Sequence, residues 1–119
     1  MKVAVSAVGD TLESAVDPRF GRAAQFVIVD TDTGEHQRIS NAQSLGAAQG
    51  AGIQAAETVS SHGAEYVITG HCGPKAFRAL KAAGIKVVIG VDGTVADAVD
   101  KLKNGEVQPT DSADVEGHW

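Results

Sequence analysis

Hydrophobic and polar positions change their rhythm along the chain. Residues 2–8 (KVAVSAV) alternate and predict a strand, and after a polar loop Gln25 to Asp30 form a second apolar run. TDTGEH is a hairpin signal in which Gly34 supplies positive φ, and Gln37 to Ser40 continue as a third strand. The period then becomes helical. SLGAAQGAGIQAAETVSSHG places Ala48, Gly52, Ala55 and Val59 on one face, with Gly63 as the stop. Glu65 to Thr69 read as a strand, Pro74 to Ala83 as a helix closed by Gly84, and Ile85 to Ile89 as a strand. A last helix opens at Thr94, with Asp97 at capping-box spacing, and ends at Asn104-Gly105.

Three meander strands followed by a βαβ unit imply an α/β fold: a five-stranded mixed sheet, ordered 3-2-1-4-5, with only the second strand antiparallel and three helices. This is a ribonuclease-H-like arrangement. It sends the loops at 9–24, 41–52, 69–75 and 90–94 to one edge of the sheet, where open α/β sheets bind ligands. Residues 1–105 read as one α/β domain, and 106–119 as an acidic, disordered tail.

Composition narrows the options. The 119 residues suit one domain, and no apolar run approaches the ~20 residues of a membrane span, so no membrane partner is expected. A single cysteine rules out an internal disulfide and fits a reducing cytoplasm. Net charge is −5 with scattered basic residues, and aromatics are 4%, which argues against nucleic acid.

Three stretches could carry chemistry. In VDPRFGRA, Arg19 and Arg22 flank Gly21 and offer forked donors to an anion, although an ion pair with Asp17 would equally explain an arginine there. GAAQGAG leads into a helix whose N–H groups, bared by Gly46, Gly50 and Gly52, form an anion cradle; close helix–sheet packing explains the same glycines. It is neither a Walker loop nor a dinucleotide fingerprint. In TGHCGPKA, Cys72 falls near a helix start, which favours thiolate, but a Cys–His nucleophile needs an orienting third group that the sequence does not place. One cysteine cannot build a structural zinc site, and His36, His62 and His118 read as solvent-facing. The first strand carries no acid, which disfavours a two-metal nuclease.

VDPRFGRAAQFVIVD, GAAQGAGIQAAE and VITGHCGPKAFRALKAAGIKVV, in that order, resemble the dinitrogenase iron–molybdenum cofactor biosynthesis family, over roughly residues 1–105. Size makes the chain most similar to its small stand-alone members, one of which carries a sulfide-bridged molybdenum–copper cluster. The resemblance implies a ribonuclease-H-like fold and a binder or carrier, without turnover, of an anionic metal–sulfur cluster held mainly non-covalently. The cargo would be a molybdenum–copper sulfide cluster, or otherwise a Mo/Fe–S cluster or precursor. The family's motif frame falls on Asp17, Pro18, Arg19, Phe20, Gly21 and Arg22, on Gly50 and Gly52, and on Thr69, Gly70, Gly73 and Pro74. The two positions between Gly70 and Gly73 vary in the family.

The expected cofactor-binding set is therefore Arg19, Phe20, Gly21, Arg22, Gly50, Gly52, Thr69, Gly70, His71 and Gly73, with Cys72 or His71 as a soft contact to metal. Two other readings stay open: a regulatory module acting through a protein partner, and a small enzyme using Cys72.

Overall fold

The structure, a computed structural model, describes residues 1–42 and 50–111. Five strands are formed: β1 (Lys2–Ala7), β2 (Gln25–Asp30), β3 (His36–Ser40), β4 (Tyr66–Ile68) and β5 (Lys86–Val88). Among the described residues three helices follow, α1 (Ala51–Ser61), α2 (Pro74–Ala82) and α3 (Val95–Lys103). The sheet runs β3-β2-β1-β4-β5; β2 is antiparallel to both neighbours, and β1, β4 and β5 are parallel. The expected order and strand directions are those observed. Glu65 and Thr69, read as strand ends, lie just outside β4, but their N–H groups still donate to Lys2 O and Val88 O.

Alternation along the strands divides the core between the two faces of the sheet. Phe26 and Ile28 of β2 join Ala55, Ala56 and Val59 of α1 and Ala76, Phe77 and Leu80 of α2. Val27 and Val29 face the other way, with Val3 and Val5 of β1 and Val95, Ala98 and Val99 of α3. Both faces are covered, which is why the central strands are almost continuously apolar. Burying each large side chain contributes roughly 1.5–3 kcal/mol.

Local signals start and stop these elements as their chemistry dictates. Gly34, at φ 78°, turns the β2–β3 hairpin, and Gly63, at φ 80°, follows α1. Pro74 opens α2, where its missing N–H costs nothing. Thr94 and Asp97 form a complete capping box on α3. Beyond Gly105 the chain stays on the domain as far as residue 111. Val107 packs against the α3-side core, and the Thr110 N–H donates to Val87 O at 2.8 Å. Of the tail expected to be loose, residues 112–119 lie outside the described residues, as do Gly46 and Ala48 of the glycine-rich stretch.

Candidate functional site

The loops after β1 and β4 are tied together at the carboxyl ends of the parallel strands. His71 N–H donates to Pro18 O at 2.7 Å, and Phe20 N–H donates to His71 O at 3.1 Å. A Cβ on Gly70 would lie 2.8 Å from Pro18 Cα, so only glycine lets these backbones touch. Beneath them the Ser6 hydroxyl donates to Asp17 O at 2.7 Å and shares a 2.8 Å hydrogen bond with Thr69 Oγ1. The Asp17 carboxylate accepts the Arg19 N–H at 3.0 Å. Asp17 thus pins the arginine loop, as one reading of the sequence required, but it does so through the backbone rather than through a guanidinium.

The same loop meets the first turn of α1. A Cβ on Gly21 would approach Gly52 Cα to 2.9 Å, and one on Gly52 would come within 2.8 Å of Ala76 Cβ on α2. Gly21 therefore permits a loop–helix crossing, and Gly52 a helix–helix crossing rather than the helix–sheet contact the sequence suggested for it. Gly50 differs: it caps α1 at φ 78°, and no atom of the described residues lies within 4 Å of where a Cβ would stand. Stacking the arginine loop, α1 and α2 in this way brings two helix N-termini together.

Between them lies a cleft of about 290 Å³, lined by Gly21, Arg22, Gly50, Ala51, Gly52, Ile53, Gly73, Pro74, Lys75, Ala76 and Arg78. Neither Asp nor Glu is among its described lining residues. Arg22, Lys75 and Arg78 are exposed, and none of the three is in an ion pair among the described residues. Neither α1 nor α2 has a side-chain N-cap or an acid in its first turn. Partial positive charge at two helix starts thus adds to three side-chain cations. Such a concavity suits an anion chemically, offering point charge from Lys75, forked donors from Arg22 and Arg78, and apolar surface from Ile53, Ala51 and Pro74.

Of the residues expected from sequence, Gly21, Arg22, Gly50, Gly52 and Gly73 line this cleft. Arg19 and His71 do not; they sit side by side in an isolated parallel bridge, Arg19 exposed and His71 half-buried. Phe20 is 1% exposed and packs against Phe26 with ring centroids 5.2 Å apart and planes tilted by 43°, anchoring the arginine loop in the core. Thr69 and Gly70 are buried under that loop. Cys72 is fully buried in the core beneath α1 and α2, its Sγ 3.8 Å from Gly73 O, so its thiol faces protein rather than the cleft. Among the described residues no three His, Cys, Asp or Glu side chains are grouped to hold a metal ion, and no helix is long and apolar enough to cross a membrane.

Sequence reasoning missed Lys75 and Arg78. The signal was present: two basic residues three apart in the opening turns of a helix, where acids are the usual choice.

Fold and site together define a small open α/β domain with a cationic cleft where two of its helices begin. The chain belongs to the dinitrogenase iron–molybdenum cofactor family, whose model matches residues 1–105. It is similar to the apo form of the orange protein from Desulfovibrio gigas, at 43% identity over 96% of each chain and a TM-score of 0.95. A putative NifB protein from Thermotoga is 37% identical over 98% of each chain, with a TM-score of 0.83. An uncharacterised protein of Methanocaldococcus jannaschii is 26% identical over 95 residues, 78% of this chain and 80% of its own length.

Proposed function

We propose that this protein is a non-enzymatic carrier for an anionic heterometal–sulfide cluster, a molybdenum–copper sulfide or a related Mo/Fe–S cofactor precursor, held mainly non-covalently in the cleft. One observation carries the reading: three cations with no ion pair among the described residues, and two helix starts without side-chain caps, converge on one cavity whose described lining holds no carboxylate. Membership of the iron–molybdenum cofactor family and likeness to the orange protein support the class of cargo.

Arg22, Lys75 and Arg78 neutralise the charge of the cluster, and the first-turn N–H groups of α1 and α2 donate to its sulfides. Because the cluster brings its own sulfide ligands, the protein needs charge and donors rather than a set of thiolates. Cys72 then serves packing, and His71 and Arg19 brace the loop that carries Arg22.

Titration of metal-free protein with tetrathiomolybdate and Cu(I), followed by gel filtration and metal analysis, tests the reading. The expected result is a coloured protein fraction that retains Mo and Cu in fixed ratio and loses them as salt is raised. A colourless protein fraction with both metals in the small-molecule volume overturns it.

A further inference from the structure

Ile53 breaks the pattern of its own helix. The buried face of α1 is formed by Ala51, Ala55, Ala56 and Val59. Ile53 stands about 200° around the axis from Ala51. Water-facing positions on such a helix normally carry polar side chains. Among the described residues only Ile53, at 37%, and Val8, at 55%, are large hydrophobics left this exposed. A single exposed apolar residue needs no explanation on an open surface. Unlike Val8, however, Ile53 lines the cleft that holds Arg22, Lys75 and Arg78, together with Pro74 and Ala76. The cleft therefore sets an apolar wall among its cations.

That pairing is poorly suited to an oxygen-ligated anion. Molybdate, phosphate and sulfate accept strong hydrogen bonds from water. Against an aliphatic wall some of those bonds would be lost without replacement. A sulfur-ligated anion has a different surface. Its charge is spread over large, polarizable atoms that hydrogen-bond weakly and make dispersion contacts with aliphatic groups, as thioether sulfur does. Cations alone attract both kinds of anion, so the wall is what separates them.

We infer that Ile53 is a specificity-determining residue that makes this cleft favour sulfur-ligated over oxygen-ligated metal anions. The inference rests on the reading of the cleft as the cargo site and adds to it the basis of its chemical choice.

The test is competition between two probes of equal formal charge, tetrathiomolybdate and molybdate, measured on metal-free wild type, Ile53→Thr and Ile53→Val. Apolar complementarity in a pocket is worth roughly a tenfold or greater discrimination. Ile53→Thr is expected to weaken tetrathiomolybdate about tenfold while leaving molybdate unchanged or slightly tighter. Ile53→Val keeps most of the preference. Arg22→Gln serves as the control and weakens both anions by similar factors. The side chain is partly exposed, so both Ile53 variants fold, which circular dichroism verifies. If wild type binds tetrathiomolybdate and Ile53→Thr keeps the same ratio of affinities, the inference alone is overturned. If wild type binds neither anion yet retains Mo and Cu in the titration with tetrathiomolybdate and Cu(I), the inference alone falls; if it retains neither metal there, the carrier reading falls and the inference falls with it.

Discussion

The N-terminus of α3 is closed by the chain itself, whereas those of α1 and α2 are left open. At α3, Asp97 N–H donates to Thr94 Oγ1 at 3.1 Å, and Thr94 N–H donates to the Asp97 carboxylate at 3.4 Å. At α1 and α2 the caps are Gly50 and Gly73, with no side-chain oxygen to accept and no acid in the first turn. Lys75 stands in the first turn of α2, where a carboxylate would have complemented the dipole, and Arg78 follows one turn on. A domain of this size thus contains both solutions to the same problem of unsatisfied N–H groups. The difference is informative because capping is inexpensive and stabilising. Two neighbouring helix starts left uncapped, facing one cavity and reinforced by cations, hold positive potential for an external anion to neutralise.

The strongest way to break this comparison is to give α2 the acid that α3 has. In Lys75→Glu a cation becomes an anion in the opening turn. Exchanging a cation for an anion beside a dianion costs roughly 2–3 kcal/mol at the effective dielectric of a protein surface, so tetrathiomolybdate affinity should fall by about a hundredfold. The acid also complements the helix dipole by about 0.3–1 kcal/mol, so the thermal midpoint should hold or rise. Titration and thermal unfolding of one preparation check both signs, and unaltered affinity would remove the start of α2 from the site.

A second substitution disturbs the crossing that brings the open helix starts together. The Gly21→Ala methyl would lie 2.9 Å from Gly52 Cα, so loop and helix must part. The expected cost is about 1–3 kcal/mol of stability, read by urea unfolding, with a drop in anion affinity alongside it. The reciprocal control lies at the closed helix. Thr94→Ala should cost about 1 kcal/mol and leave tetrathiomolybdate binding as it was, because α3 packs on the other face of the sheet. Cys72→Ala removes one buried sulfur for a similar cost of about 1 kcal/mol and should likewise leave binding intact. Loss of cargo in that variant would restore Cys72 as a ligand.

Much of the fold was legible because its signals are local. Alternation marked the strands, Pro74 and Gly84 bounded α2, and Thr94 with Asp97 announced α3. The site was legible only in part. Arg22 and the glycines Gly21, Gly50, Gly52 and Gly73, expected from the sequence as cofactor-binding residues, all line the cleft, since glycine at a helix start has a recognisable purpose. Arg19 was chosen with Arg22, yet Phe20 points into the core between them and leaves Arg19 beside His71, outside the cleft lining. Cys72 drew notice as the lone thiol next to a helix start, but its direction depended on the packing of α1 against α2.

By itself, then, the sequence determined the order and direction of the strands, the starts and stops of the helices, and a set of small residues where backbones meet. These depend on periodicity and on the conformational limits of glycine and proline, which act over a few residues. Only the tertiary structure decided which cations share a cavity, that Ile53 stands among them, and that Cys72 does not. Those relations join the arginine loop, α1 and α2, segments distant in sequence. Their meeting depends on the close approaches at Gly21 and Gly52, which exist only once the sheet has brought the three segments to one edge.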